Sequence, residues 1–348
     1  MAEEIKSTEL TDDIILLNRD VEHLVIQSAA KHCAGLGHDD KYDVLQFVHF
    51  SDIHRRIVNW NRVVKYINHY SDYISFGLLT GDYVGLNQDY WVDLYGDGDP
   101  CKKVIYNCVG NHDICDSNLD LAEKSSTWKL LFSNTEGWDV EFCDSEYPMS
   151  YYKDFPNANV RMIVLDVYYD IEQQQKWLVK VLEDARQKGL CVITAAHEPT
   201  GYLENTFHSN FFTLDDHLDH HRRRFPGFVE PEYDFFERPL YEKVIADFVA
   251  AGGIHICHLA GDKHFDMFGT SKLGLINSVV PCAMCWGGGS DGNRVFGTKT
   301  QDCFNVVSIN ANQGLLKIVR VGDNYDHYLR NHTALCFDYI NKKVISSI

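Results

Sequence analysis

The sequence predicts an α/β fold whose C-terminal part consists of strands without helices. Up to about residue 268, short β-branched and aromatic runs alternate with segments whose apolar residues recur at helical spacing. Several of these runs end in Asp, Asn or His, as expected where the carboxyl ends of parallel strands collect ligands and catalytic groups. After about residue 270 the helical spacing disappears, and further strands are separated by Gly and Asn turns.

The first predicted strand, at residues 44–50, leads into Asp52 and His54. Because side chains alternate along an extended chain, these two point to the same side and could hold one ion together. A helical pattern follows, with apolar positions that include Trp60 and Ile67.

The second and third strands end in glycine turns that carry polar side chains. The run at residues 73–79 is followed by Thr80-Gly81-Asp82, and the run at 104–109 by Gly110-Asn111-His112-Asp113. Glycine permits a tight turn at such a position. Since one polar turn is common but a repeated series is not, the repetition predicts a functional site.

Three more strands and two helices complete the alternating part. The strands are predicted at 160–165, 190–196 and 254–260 and end at Asp166, at His197, and at Asp262 with His264; the helices are predicted at about 172–187 and 240–250. Asp166 fits an ordinary polar strand end, and His258, lower in the last strand, fits a packed residue.

Two segments carry no assigned chemistry. Residues 1–43 are predicted to be an N-terminal extension packed on the main domain, which spans 44–348. Within that domain, residues 200–238 form a loop-rich insertion, interpreted either as a solvated loop or as a lid that contacts substrate. The strand-rich part from about residue 270 has predicted strands near 273–280, 303–309, 314–321 and 335–346.

The composition indicates a globular protein with strong negative charge. The 348 residues are 45% hydrophobic and 24% charged, with a formal net charge of −18. This charge argues against nucleic acid and anionic membranes as partners, although bound metal ions could still attract a small anionic substrate.

The polar start of the sequence, the lack of a membrane-length apolar run and the scattered cysteines predict a cytoplasmic protein. The sequence predicts no particular oligomeric state.

The polar strand ends offer carboxylates, imidazoles and one amide oxygen, with no thiolate. This donor set suits Mn, Fe or Zn. The ligands are too many for one ion and suit two ions that share a bridging carboxylate. Two such ions can orient a phosphoryl group, generate hydroxide near neutral pH and stabilise charge on the departing oxygen.

Five ordered blocks give the sequence a family resemblance: Asp52-Ile53-His54, Gly81-Asp82, Gly110-Asn111-His112-Asp113, His197 and Gly261-Asp262-Lys263-His264. The series resembles the calcineurin-like metallophosphoesterase superfamily over about residues 44–268. The resemblance implies a four-layer α/β/β/α sandwich of two mixed sheets flanked by helices. It also implies a dinuclear metal centre.

The same resemblance implies a role for each block. Asp52, His54 and His264 would bind the first ion, Asp82 would bridge, and Asn111 and His197 would bind the second. His112 would be a non-ligand that stabilises the transition state or protonates the leaving group, for which an imidazole near its ordinary pKa is suited. Asp113 would complete the catalytic pair by orienting its neighbours.

The last block departs from the family pattern at Asp262, where the family usually has a histidine that binds the second ion. A carboxylate reaches less far and adds negative charge, which makes the second ion a poorer Lewis acid and favours a harder metal such as Mn. Asp can nevertheless ligate in place of His, and alternation along the chain points Asp262 and His264 the same way, so Asp262 is predicted to be a metal ligand. The alternative is a weakened or empty second site.

Two functions stay open at this point. The first is a metal-dependent phosphoester hydrolase, either a phosphatase or a phosphodiesterase, that attacks a small phosphorylated substrate with a metal-bridging hydroxide. The second is a non-catalytic binding or scaffold protein in which Asp262 has weakened the second metal site. A nuclease ranks below both because the chain is acidic and a nucleic-acid backbone normally needs a cationic track.

Overall fold

The structure is a computed structural model. It describes residues 41–83, 94–113, 137–168, 170–200, 203–206, 241–262, 267–280, 283, 303–322 and 334–347. The predicted N-terminal extension, except for its last residues, lies outside this part of the chain, as does most of the 200–238 insertion.

Strands and helices are interspersed in the first half of the described chain. In order these elements are β1 (Leu45–Phe50), α1 (Ile57–His69), β2 (Gly77–Leu79), α2 (Leu94–Asp97), β3 (Ile105–Asn107), β4 (Glu141–Phe142), β5 (Tyr151–Phe155), a 3-10 turn (Pro156–Ala158), β6 (Val160–Val164), α3 (Ile171–Lys188) and β7 (Cys191–Ala195).

The second half of the described chain is dominated by strands. Its elements are β8 (Leu203–Thr206), α4 (Glu242–Ala250), β9 (Ile254–Ala260), β10 (Met267–Ser271), β11 (Ile276–Val279), β12 (Cys303–Asn310), β13 (Leu315–Gly322), β14 (Ala334–Asp338) and β15 (Lys343–Ser347). The predicted change from alternation to strands after the sixth predicted strand is confirmed.

The strands form two mixed sheets. The first has the order β15-β14-β13-β12-β1-β2-β3, in which β1, β2 and β3 are parallel and the other neighbours antiparallel. The second has the order β4-β5-β6-β7-β9-β11-β10-β8, with a parallel centre from β6 to β11. The strands that carry the predicted ligands therefore lie side by side in the parallel parts of both sheets.

Four layers result from the packing of these sheets and helices. The main core contains Phe47 and Val307 of the first sheet together with Ile193 and Leu259 of the second. On the outside of the first sheet, α1 places Trp60 against Phe50. A separate cluster joins α3 and α4 to the outer face of the second sheet. Each helical layer buries one apolar face and each sheet buries both, so the predicted α/β/β/α sandwich is confirmed.

Helix α3 shows why its bounds could be predicted within a residue or two. The side chain of Asp170 accepts a hydrogen bond from the backbone N–H of Gln173 (3.1 Å) and caps the N-terminus. Gly189 adopts a left-handed conformation with φ of 69° and ends the helix. Leu178, Leu182 and other apolar residues at helical spacing face the outer core cluster.

Several strand predictions were wrong in extent. The second strand begins at Gly77 rather than at residue 73, because the N–H groups of Tyr73 and Ile74 donate to the carbonyl of Tyr70 and continue the turn after α1. The segment predicted as one strand at 335–346 is a hairpin, since the chain turns between β14 and β15 around Lys342, whose φ is 52°.

Strands β4, β5, β8 and β10 were not predicted. In β5 the charged, half-buried Lys153 and Asp154 hide the strand pattern, and pairing with β6 through five residue pairs is what defines the strand. Strand β8 lies inside the segment predicted to be a loop-rich insertion, and it pairs with β10. Among the described helices, none combines the length and apolar character that crossing a membrane requires.

Candidate metal centre

The predicted site residues gather at one edge of the two sheets. The loops after β1, β2 and β3 supply them from the first sheet, and the loops after β7 and β9 supply them from the second. His264 lies outside the described residues, so its predicted role as a ligand stays a prediction.

Two groups of side chains are close enough to hold metal ions. One consists of His54, Asp82 and His112, and the other of Asp52, Asp82 and His197. Within each group the ligand atoms all lie within 4.8 Å of one another. Asp82 belongs to both groups, which is the position that a bridging carboxylate requires.

The first group packs its imidazoles against buried carboxylates. The Nε2 atom of His54 lies 3.7 Å from Oδ1 of Asp52 and 3.8 Å from Oδ2 of Asp82. The Nε2 atom of His112 lies 3.7 Å from the same Oδ2 of Asp82. The His112 side chain is 19% exposed and the His54 side chain 5%, so His112 stands nearer the mouth of the site.

His197 joins the second group from the other sheet. Its Nε2 atom lies 3.0 Å from Oδ1 of Asn111, 3.3 Å from Oδ1 of Asp82 and 3.5 Å from Oδ1 of Asp262. Its Nδ1 atom is 2.6 Å from the carbonyl oxygen of Thr80. Since a carbonyl only accepts, Nδ1 carries a proton there, and Nε2 is the atom that faces the site.

Burial alone would lower the pKa of His197, because it disfavours a buried cation. The carboxylates of Asp82, Asp262 and Asp52 outweigh this effect and raise the pKa well above its ordinary value. The site thus favours positive charge at Nε2 of His197, whether a proton or a metal ion provides it.

Several of the site residues adopt an uncommon backbone conformation. Asp52, His54, Asp82 and Asp262 have φ values of 57°, 47°, 55° and 63°. Left-handed geometry is rare outside glycine and often marks functional turns. Hydrogen bonds between loops hold it in place: the N–H of Asp52 donates to the carbonyl of Gly81, and the N–H of His54 to that of Asp82, both at 3.0 Å.

Two glycines of the predicted motifs are needed because other site residues touch them. Gly81 has a φ of 94°, and a Cβ there would collide with the imidazole of His197. A Cβ on Gly110 would collide with the backbone nitrogen and carboxylate of Asp82. Larger residues at either position would displace a predicted ligand, His197 or Asp82.

The loop after β3 is tied to its own main chain and to Asp82. The buried carboxylate of Asp113 accepts a hydrogen bond from the N–H of Gly110 (2.8 Å), and the N–H of His112 donates to Oδ1 of Asp82 (3.0 Å). In these contacts Asp113 shapes the loop that presents Asn111 and His112. Its predicted catalytic role stays a prediction.

Asp262 lies at the site but belongs to neither of the two groups. Its N–H donates to Oδ2 of Asp52 (3.1 Å), and its carboxylate reaches His197 at 3.5 Å. The backbone of Asp262 therefore supports one predicted ligand while its side chain faces another.

Sequence reasoning missed Thr80, Tyr168 and Glu198. Thr80 contributes a backbone carbonyl, which no side-chain pattern reveals. The Tyr168 hydroxyl lies 3.3 Å from Oε1 of Glu198, the residue directly after His197. The signal available for Tyr168 was the polar strand end at Asp166, whose carboxylate accepts the N–H of Tyr168 (3.1 Å).

The donor set fits metal ions. Asp52 and Asp82 are almost fully buried, and buried carboxylates are costly in the charged form unless cations compensate them. Carboxylate oxygens, imidazole nitrogens and an amide oxygen suit Mn, Fe or Zn.

Comparison with known proteins agrees with this geometry. The profile of the calcineurin-like phosphoesterase family matches residues 45–261, well over half of the chain. No curated protein sequence matches significantly.

Solved structures resemble the chain at low sequence identity. A dimetal phosphatase from Danio rerio superposes with a TM-score of 0.51 at 13% identity, covering 85% of this chain and 99% of its own. A predicted phosphoesterase from Streptococcus pneumoniae reaches 0.33 at 11% identity, covering 85% and 98%. A phosphopantetheinyl hydrolase from Mycobacterium tuberculosis reaches 0.34 at 12% identity, covering 68% and 89%. By its sequence profile, and with a fold that agrees, this chain belongs to the calcineurin-like phosphoesterase family.

Proposed function

We propose that this chain is a metal-dependent hydrolase of small phosphorylated compounds that works with two metal ions. The observation that carries the proposal is the presence of Asp82 in both groups of candidate ligands. One carboxylate shared by two groups of candidate ligands is expected of a dinuclear centre, whereas a single structural ion would need only one group.

The residues would divide between the ions as the family resemblance implies. Asp52 and His54 would hold the first ion together with His264, Asp82 would bridge, and Asn111, His197 and Asp262 would hold the second. When bound, the ions would supply the charge that activates water and stabilises the phosphoryl group during displacement. The oxygen-rich set around the second ion favours Mn over Zn.

His112 would act on the departing oxygen. Its ring packs edge-on against His54 with centroids 4.8 Å apart, and it is more exposed than the other two site histidines. A partly exposed imidazole can reach substrate and exchange its proton with solvent, as a general acid must. His112 also lies close enough to His54 and Asp82 to be a ligand, and the effect of His112→Ala on metal content separates the two roles.

The substrate would be a small phosphoester rather than nucleic acid, because the chain carries a net charge of −18. Both a monoester and a diester suit the arrangement of ligands, so the proposal includes phosphatase and phosphodiesterase activity.

The test is metal content together with hydrolysis of p-nitrophenyl phosphate and bis-p-nitrophenyl phosphate after loading with Mn. We expect two ions per chain and turnover of at least one ester. Asp82→Asn should lose both, while Asp247→Asn, at an exposed ion pair with Lys243 on α4, should keep both.

A non-catalytic scaffold is the second candidate, and the observation that favours it is the place of Asp262 outside both ligand groups. It predicts one ion or none per chain and no turnover of either ester. That result would overturn the proposed hydrolase.

A further inference from the structure

A tyrosine hydroxyl stands beside the candidate metal centre and has no role in the proposed function. Tyr168 follows β6 and is half-buried, with its ring packed at the border of both core clusters. Its hydroxyl lies 3.3 Å from Oε1 of Glu198. Because Glu198 directly follows His197, this hydroxyl belongs to the second sheet's side of the site, where Asp262 also lies.

The turn that presents Tyr168 is built by buried polar contacts. The carboxylate of Asp166 accepts the N–H of Tyr168, and the N–H of Asp166 donates to Oγ of Ser150 at 2.8 Å. The hydroxyl of Tyr241 donates to the carbonyl of Asp166. The carboxylate of Asp166 belongs to neither group of candidate ligands and accepts the N–H of Tyr168, so this strand end positions a tyrosine.

The hydroxyl keeps its proton in this environment. Burial raises the pKa of Tyr168 well above its ordinary value, and the carboxylates of Glu198, Asp262 and Asp82 raise it further. A neutral phenol among carboxylates can donate one hydrogen bond. Its present bond to Glu198 is longer than the 2.5–3.0 Å that is usual between two oxygens, so the proton can be redirected by rotation of the hydroxyl.

We propose that Tyr168 contacts the substrate and that its hydroxyl donates a hydrogen bond to an oxygen of the phosphoryl group on the Asp262 side of the centre. The inference rests on the proposed function. A phosphoryl group brings negative charge to this side of the centre, and a phenol that keeps its proton offers it a hydrogen bond without adding further negative charge. When the phosphoryl group binds, the Tyr168 hydroxyl would rotate and keep its proton. Its hydrogen bond would then go to the incoming oxygen instead of Glu198.

The test is calorimetric titration of the Mn-loaded protein with inorganic phosphate, together with hydrolysis of the two nitrophenyl esters. Tyr168→Phe should weaken phosphate binding about tenfold or more, the value of one hydrogen bond to a charged group, with unchanged metal content. Tyr152→Phe is the matched control, since Tyr152 packs against the same outer cluster and contacts Arg161 and Trp177 away from the site. It should bind phosphate as the wild type does.

Glu198→Gln separates substrate contact from structural support. It removes a competing charge but keeps an acceptor for the hydroxyl, so phosphate binding should be unchanged or tighter. If Tyr168→Phe does not fold, this variant decides the question. Binding that falls as far in Glu198→Gln as expected for Tyr168→Phe would overturn the proposal, because the pair would then be a structural unit.

The outcomes also separate this inference from the proposed function. If the wild type hydrolyses neither ester but Tyr168→Phe still loses phosphate affinity, the hydrolase fails and the contact stands. If the wild type hydrolyses an ester and Tyr168→Phe binds phosphate within twofold of it, the contact is wrong. A wild type that binds no phosphate overturns the contact as well.

Discussion

His197, in the loop after β7, and His258, on the neighbouring strand β9, are both buried, yet their environments move their pKa values in opposite directions. His197 lies at the edge among aspartates, which raise its pKa despite burial. His258 lies deeper, on β9 opposite Thr194, where burial lowers its pKa to about 4. The comparison teaches that carboxylates at the strand ends, rather than burial, distinguish a histidine at the candidate metal centre from one packed in the sheet.

The side chains around His258 form a chain of hydrogen bonds with a defined donor and acceptor at each step. Nε2 of His258 donates to the carbonyl of Glu198 (3.0 Å), since that oxygen only accepts. Nδ1 of His258 therefore accepts from the hydroxyl of Thr194 (2.8 Å), and Thr194 accepts from Nε2 of His255 (3.0 Å). A neutral His258 thus holds the residue that follows His197.

The largest effect should come from His197→Ala. Loss of a ligand should lower activity more than about 100-fold, which exceeds the effect expected of residues that only support ligands. Metal content should fall in parallel. Normal metal content and activity in His197→Ala would show that His197, like His258, is not a metal ligand.

His112→Ala should lower turnover about 100-fold or more while metal content changes little, as expected for a general acid that is not a ligand. The measurement is ester hydrolysis beside metal content in the same preparation. Equal loss of both would assign His112 to the ligand group that it forms with His54 and Asp82.

His258→Leu should have a smaller effect on activity, about tenfold through metal affinity, because it acts only by supporting the loop after β7. It leaves the carbonyl of Glu198 and the hydroxyl of Thr194 without this partner, at a cost of about 1–3 kcal/mol in the free energy of unfolding. Denaturant unfolding and metal titration measure the two effects. His258→Gln, which can still donate to Glu198, should recover part of both; a glutamine variant no better than leucine would contradict the positioning role.

The smallest effect concerns pH. Burial, together with smaller effects of His258 and Lys342, lowers the pKa of His255 to about 3, whereas the unfolded chain has an ordinary value of about 6.5. Between those values only the unfolded state takes up the proton, so stability is complete above about pH 6.5 and is lost as pH falls. In the metal-free protein, His255→Gln should make unfolding free energy fall less steeply between pH 6.5 and 4. An equal slope would show that His255 does not carry this dependence.

The sequence by itself determined the fold class, the order of most elements and the site residues that now lie together. Hydrophobic periodicity located α1, α3, β1, β6 and β9 because it depends on which face of each element is buried, a local property. The motif blocks located Asp52, Asp82 and His197 because polar residues at strand ends stand out against apolar strands. The roles of these side chains, and of Asp113 and His264, stay predictions.

Only the tertiary structure decided what depends on contacts between distant segments. Strand β5 is defined by its pairing with β6, and β8 by its pairing with β10. The residues of each strand alone therefore did not reveal it as a strand. The carbonyl of Thr80 that fixes the His197 imidazole is 117 positions away in the chain. Tyr168 faces Glu198 because β6 and β7 are neighbours. Opposite pKa shifts in His197 and His258 follow from the same cause, since the charges that surround a side chain are set by the packing of the whole sheet edge.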